Sequence, residues 1–116
     1  MTKNPYPEII TSLPQADIPF TGVQGWIAQG IEYQVVFFEI ESPGSVPPHK
    51  HGAQFGIILD GEMSLSIEGK TLKYQEGDTY FIPAGAVHQA KFYTPVRTVD
   101  FFAEPERYKA KENYKE

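Results

Sequence analysis

The stretch GDTYFIPAGAVH, residues 77–88, decides the fold class of this chain. A glycine–aspartate turn leads into a short apolar strand, a proline–glycine turn follows, and His88 begins another strand. Ten glycines and ten prolines cut the rest of the chain into similarly short segments. Such spacing favours strands over helices, so we expect an all-β sandwich or barrel of antiparallel strands.

Alternating apolar residues predict the neighbouring strands. Segment 33–40 is apolar on both faces, so we expect both of its sides to be covered. The buried strand 56–59 ends at Asp60-Gly61, a pair typical of two-residue hairpins. Further short strands are predicted at 63–67, 71–74, 79–82, 88–93 and 96–102.

Length and composition limit the class of protein. With 116 residues the chain has room for a single domain, which we place at 1–116 with its core at about 20–103. The last segment, 104–116, carries eight charges and is predicted to be a short solvated helix or a frayed tail. A net charge of −5 argues against nucleic acid as a partner, and the lack of cysteine excludes thiol chemistry. Since no apolar run is long enough to cross a membrane, we expect a cytoplasmic protein.

The histidines are candidate metal ligands. His49 and His51 are separated by one residue, which on a strand places both imidazoles on the same side. Two such nitrogen donors form half of a metal site. Gln54 follows shortly after, and His88 is the third and last histidine of the chain. The alternative is an exposed pair in a loop, a buried histidine satisfied by hydrogen bonds, and an amide at Gln54 that bonds to backbone.

Segments 44–61 and 77–92 together resemble the paired signature motifs of the cupin superfamily. In the second segment, Gly77, Pro83, Gly85 and His88 stand at the spacings of the family. The resemblance implies a double-stranded β-helix, or jelly-roll barrel, of two antiparallel sheets.

The same resemblance implies one divalent metal ion bound by His49, His51, Gln54 and His88. The first motif is shortened after His51, and Gln54 stands where many cupins carry glutamate. Three imidazoles and an amide leave the full double charge on the ion, which favours Lewis-acid and proton-transfer chemistry. These ligands suit Zn, Mn, Fe, Co or Ni about equally well.

The end of the predicted barrel is similar to the small pectin-degradation cupins, which open the ring of unsaturated uronates. Asp100, Phe102 and Arg107 match residues of that family, with the arginine displaced by about one position. The resemblance implies that Arg107 holds a sugar carboxylate, Asp100 moves the proton and Phe102 packs against the sugar. The alternative is a structural ion pair between Asp100 and Arg107.

The function expected from these residues is a metal-dependent isomerase or lyase acting on a small sugar acid or a similar oxygen-rich acid. Two alternatives are a metal-dependent dioxygenase and a non-catalytic cupin that binds a sugar. Small cupins commonly pair, so the resemblance also implies a homodimer. The two apolar faces of segment 33–40 agree, because one of them needs cover from beyond the barrel.

Overall fold

The structure, a computed structural model, describes residues 6–111. Within this range there are nine strands and one single-turn helix, and no helix is long and apolar enough to cross a membrane. The elements are α1 (Glu8–Thr11), β1 (Val23–Gln29), β2 (Gln34–Ile40), β3 (Gly44–His49), β4 (Gln54–Asp60), β5 (Glu62–Ile67), β6 (Lys70–Gln75), β7 (Thr79–Ile82), β8 (His88–Phe92) and β9 (Val96–Phe102).

The strands form two antiparallel sheets, and the predicted all-β jelly-roll barrel is confirmed. One sheet has five strands in the order β1-β2-β9-β4-β7, and the other has four in the order β3-β8-β5-β6. Strands that are far apart in the sequence are therefore neighbours. β9 in particular lies between β2 and β4, in the middle of the larger sheet.

The core fills the space between the two sheets. On β2, the residues Val36, Phe38 and Ile40 are buried, while the residues between them are only partly buried. This alternation is the consequence of successive side chains pointing to opposite faces of a strand. Ile58 and Phe102 are each 1% exposed and continue the core on β4 and β9.

The outer face of the five-stranded sheet is also apolar, and residues 6–111 cover only part of it. The Tyr6 ring packs edge-on against Trp26 and Phe37, with ring centroids 5.9 and 5.8 Å apart. Tyr6 thus covers the outer side of β1 and β2, and the rest of the face is not covered by the part of the chain that the structure describes. The large apolar side chains that remain exposed there are Tyr33, Phe55, Leu59, Phe81 and Phe101.

The hairpin predicted at Asp60-Gly61 is wrong, although the turn itself is present. β4 pairs with β7 and β9, whereas β5 pairs with β6 and β8, so the turn carries the chain from one sheet to the other. Gly61 has a φ of +98°, and a Cβ there would overlap the carbonyl oxygen of Pro95. Glycine is therefore required, but for a crossing between sheets and not for a hairpin.

Residues 104–111 are neither a helix nor a frayed tail, so that expectation is wrong for this part of the segment. The Gln34 side chain donates to the carbonyl of Tyr108 at 2.7 Å and accepts from its N–H at 3.1 Å. The backbone N–H of Asp17 donates to the carbonyl of Lys109 at 2.7 Å. These bonds hold the segment across one end of the barrel. Residues 112–116 lie outside the described range.

Candidate metal centre

The three histidines converge at that same end of the barrel. His49 ends β3 and lies opposite His88, which begins β8, and their ring centroids are 4.2 Å apart. One ligand nitrogen from each of His49, His51 and His88 lies within 4.8 Å of the other two. Nitrogens on opposite sides of one ion would be about 4.2 Å apart, so a small closing movement lets all three reach it.

The location of His51 differs from the prediction. Its residue lies beyond the end of β3, in the loop before β4, so strand alternation does not explain why its ring faces that of His49. Hydrogen bonds to the backbone orient the rings instead, because each Nδ1 faces a carbonyl oxygen and must carry its hydrogen. The pairs are His49 with Pro47 at 2.9 Å, His51 with Gly52 at 2.8 Å, and His88 with Ala86 at 2.9 Å.

This tautomer leaves the Nε2 lone pair of each ring free to bind a metal ion. Burial and, to a smaller extent, the positive charge of Arg107 lower the pKa of His51 to about 4. Burial also lowers the pKa of His49 and of His88. The imidazoles are therefore neutral at neutral pH, which is the form that coordinates a metal.

Gln54 is the first residue of β4, and its side chain lines the same cavity as the histidines. Its Nε2 donates a hydrogen bond of 2.7 Å to Oδ2 of Asp100. With the nitrogen engaged, the amide oxygen is the end that remains for a ligand. Three imidazoles and one amide oxygen would fit a divalent first-row ion.

Asp100 is held by a network of hydrogen bonds in the wall of the barrel. It is 1% exposed, and its Oδ2 accepts from the hydroxyl of Tyr80 at 2.7 Å as well as from Gln54. Its Oδ1 accepts from the hydroxyl of Thr98 at 2.6 Å. Burial raises the pKa of Asp100 and the three donors partly offset that effect, so that the resulting pKa is about 6. Within residues 6–111 the carboxylate forms no ion pair with Arg107.

Gly56 provides the space in which this network forms. On β4 it lies between Tyr80 of β7 and Asp100 of β9, in register with both. A Cβ at this position would overlap the Tyr80 ring and the Asp100 carboxylate. A side chain here would therefore push apart the two groups that hydrogen-bond across it.

Arg107 also lines the cavity, although its segment lies beyond the last strand. Its guanidinium carbon is 4.3 Å from the ring centroid of Tyr108 and 5.8 Å from that of Phe102. Glu104 anchors the segment, because its carboxylate accepts a hydrogen bond of 2.7 Å from the backbone N–H of Gly52. The Arg107 Nε is buried and has no hydrogen-bond partner among the described residues.

The cavity has a volume of about 80 Å³, and most of its wall is apolar. Phe102 is almost fully buried there, with its ring 5.5 Å from that of His51. Phe20 lies on the other side, with its ring 5.8 Å from that of His49. The cavity thus combines a mostly apolar wall with a few polar side chains, as is usual for a small-molecule site.

The site also depends on four residues that were not predicted from the sequence, namely Gly56, Tyr80, Thr98 and Tyr108. Thr98 stands two residues before Asp100 on a predicted strand, so alternation alone places both side chains on one face. Gly56 and Tyr80 carry no such local signal. Their role depends on the pairing of β4 with β7, which a single sequence does not reveal.

Comparison with known proteins places this architecture in a family. Residues 36–102 match the family model of the cupin domain. No curated protein matches the sequence. Among solved structures, KdgF from Halomonas sp. is similar at 24% identity, with a TM-score of 0.72 over 84% of this chain and 92% of that one.

Two more distant structures share the fold. An RmlC-like cupin from Shewanella frigidimarina is 20% identical, with a TM-score of 0.71 over 90% of this chain and 91% of that one. Oxalate decarboxylase from Lactobacillus farciminis is 19% identical, with a TM-score of 0.70 over 82% of this chain and 32% of that one. The match to the domain model covers more than half of the chain, and the chain therefore belongs to the cupin domain family.

Proposed function

We propose that this cupin is a metal-dependent isomerase or lyase acting on a small sugar acid or a similar oxygen-rich acid. The observation that carries the proposal is the set of three neutral imidazoles that face Arg107 and Asp100 across one cavity. Such a site offers a place for a cation, a fixed positive charge and a carboxylate. These are the groups that proton transfer next to a carbonyl requires.

The charges of the cavity support an anionic substrate. The ligand set His49, His51, His88 and Gln54 is neutral, so an ion bound to it keeps its full double charge. Arg107 adds a second positive charge, and its buried Nε has no partner among the described residues. A guanidinium can bind a carboxylate through two parallel hydrogen bonds, so we assign Arg107 to the carboxylate of the substrate.

We assign proton transfer to Asp100. Conversion of an enol to a ketone moves a proton from oxygen to carbon, so one group must accept a proton and return it. The pKa of Asp100, raised to about 6 by burial, keeps both protonation states accessible near neutral pH. The Tyr80 hydroxyl, 2.7 Å from Oδ2, can share that proton.

The ion would be held by His49, His51 and His88, with the Gln54 oxygen as a fourth ligand. When bound, it would supply Lewis-acid polarisation of a substrate oxygen. The donor set suits Zn, Mn, Fe, Co or Ni, and we propose one ion per chain. Phe102 contributes an apolar wall on the side of His51.

The substrate class rests on two further points. Asp100, Phe102 and Arg107 match the pectin-degradation cupins in kind and in order. KdgF from Halomonas sp. is also among the structures with the same fold. We therefore name unsaturated uronates as the first substrates to test.

The test combines metal analysis with a turnover screen. The purified protein is analysed for bound elements and then incubated with unsaturated uronates, whose loss is followed by the absorbance of the double bond. The expected result is one divalent ion per chain and metal-dependent loss of that absorbance, with much slower loss in Arg107→Met. A matched control is Lys73→Met, which removes a cation from the surface.

Other outcomes would decide against the proposal. Consumption of dioxygen with diketone or flavonol substrates would make the protein a dioxygenase. Tight sugar binding without turnover would make it a binding protein. A protein that binds no divalent ion would contradict the metal site itself.

We also propose that two copies pair through the outer face of the five-stranded sheet. Register places Phe81, Phe55, Phe101 and Val35 side by side across four strands. With Tyr33 and Leu59, the exposed aromatic and aliphatic side chains offer on the order of 500 Å², at about 100 Å² each. A standard interface needs about 800 Å² per partner, so this face supplies most of it.

The cytoplasmic location stays a prediction from the sequence.

A further inference from the structure

The two ends of the Gln54 side-chain amide have different neighbours. The nitrogen donates a hydrogen bond of 2.7 Å to Asp100, and the oxygen is the end left for the cavity. A terminal amide can rotate by half a turn at little cost, so its orientation depends on what its two ends contact. An ionised carboxylate has no hydrogen to donate and can only accept from the nitrogen.

The partner of this amide is itself fixed. Oδ2 of Asp100 accepts from Tyr80 at 2.7 Å, and Oδ1 accepts from Thr98 at 2.6 Å. Gly56 leaves room for this arrangement, because any Cβ there would overlap Tyr80 and Asp100. The acceptor that faces Gln54 is therefore held in place from strands β7 and β9.

We infer that Asp100 is a positioning residue of the metal centre: through its Oδ2 it holds the Gln54 amide so that the amide oxygen faces the ion. This inference rests on the metal site of the proposed function and adds a second role to Asp100. It also assigns to Asp100 the negative charge that the neutral ligand set lacks, placed one hydrogen bond away from the Gln54 amide.

The same geometry explains why glutamine stands at position 54, where many cupins carry glutamate. A glutamate at this position would bring a second carboxylate within hydrogen-bond distance of Asp100. Two carboxylates at that distance cannot both be ionised in a buried site. The site therefore has room for one carboxylate, and this chain carries it at Asp100.

The first test measures metal affinity, without any turnover. Protein stripped with a chelator is titrated with Co²⁺, and affinity and visible absorption are recorded for the wild type, Asp100→Asn and Asp100→Ala. Asparagine keeps an oxygen that accepts from Gln54 and Tyr80, whereas alanine keeps none. We expect Asp100→Ala to bind Co²⁺ about 10- to 100-fold more weakly, with a changed spectrum. Asp100→Asn should lie closer to the wild type.

The second test exchanges the two side chains and is measured on the metal-free protein at pH 8. Gln54→Glu alone should lower the melting temperature by about 10 °C, because it places two carboxylates together in a buried site. Adding Asp100→Asn should restore most of that loss. Gln89→Glu is the control, since Gln89 is exposed on the outer side of β8.

The outcomes separate this inference from the proposed function. If Asp100→Ala binds Co²⁺ as tightly as the wild type does, and Gln54→Glu melts as the wild type does, the positioning role is wrong and the metal site stands. If the wild type binds no Co²⁺, both fail. A loss of turnover in Asp100→Asn with unchanged affinity and no rescue in the double variant would leave proton transfer as the sole role of Asp100.

Discussion

The carboxylate of Glu104 accepts a hydrogen bond of 2.7 Å from the backbone N–H of Gly52. This bond joins the segment that carries Arg107 to the loop that carries His51. We expect Glu104→Ala to cost about 1.5–3 kcal/mol of unfolding free energy, as for other hydrogen bonds to a charged group.

The same variant should bind an anionic substrate more weakly, because Arg107 loses its anchor, while its metal content should be unchanged. Thermal melting, elemental analysis and substrate affinity measure the three effects. Glu104→Gln keeps an acceptor oxygen and serves as the control. A Glu104→Ala protein with normal stability and normal substrate affinity would show that the anchor is unimportant.

The metal prediction concerns the three histidines. Because each provides one of the converging nitrogens, replacing His49, His51 or His88 with alanine should reduce bound metal from about one ion per chain to a small fraction. An added divalent ion at about 100 times its dissociation constant should stabilise the wild type by about 2.7 kcal/mol and raise its melting temperature. Gln89→Ala should respond as the wild type does. Equal metal content in all variants would mean that the ion binds elsewhere.

The next prediction concerns the space that Gly56 leaves for its neighbours. Gly56→Ala should force Tyr80 and Asp100 apart and cost about 1–3 kcal/mol of unfolding free energy, the usual range for overpacking. Gly44→Ala is the matched control, because a Cβ at Gly44 meets only ordinary contacts, at 3.6 and 3.9 Å. Urea unfolding compares the two variants. Equal stability of both would show that the wall of the barrel adapts at Gly56.

The pKa shifts of the site residues predict how the unfolding free energy of the metal-free protein depends on pH. Burial lowers the pKa of His51 from 6.5 to about 4 and lowers those of His49 and His88. Between about pH 4 and pH 6.5 the unfolded chain therefore binds more protons than the folded one, so the unfolding free energy rises with pH. Burial raises the pKa of Asp100 from 3.8 to about 6, so its contribution is present at low pH and is lost as pH rises.

The pH effects of the three histidines and of Asp100 thus have opposite signs. Because the histidines are more numerous, we expect a net gain in stability as the pH rises from about 4.5 to about 6.5. Urea unfolding with a chelator present, at several pH values, measures this slope. Asp100→Asn removes the opposing contribution, so its slope should be steeper than that of the wild type. A wild-type slope of the opposite sign would mean that the imidazoles are charged in the folded protein.

The open apolar face leads to the last prediction. Phe55→Glu should convert the proposed homodimer to a monomer, because a two-fold interface would bring two added carboxylates together on a chain of net charge −5. Leu72→Glu, at an exposed site on the other sheet, should leave the dimer intact. Light scattering at micromolar concentration measures the mass. A wild-type protein that is already a monomer would contradict the proposed interface.

The class of fold and the kind of site could be predicted from the amino-acid sequence. Turn residues and short alternating strands are local signals, and they correctly predicted most of the strands from residue 33 onward. The resemblance of segments 44–61 and 77–92 to the paired cupin motifs predicted a metal site at His49, His51 and His88. The turns, the strands and each motif are short stretches of sequence, so they are visible without a structure.

How the remaining residues relate to that site depends on contacts between distant parts of the chain. Gly61 turns the chain between sheets because its strands pair with distant partners, and Arg107 reaches the cavity because Gln34 and Gly52 bind its segment. Gln54 and Asp100 are 46 residues apart in the chain, and they come together because β4 and β9 are neighbours in the sheet. Contacts of this kind are set by strand order, and strand order results from packing the whole barrel.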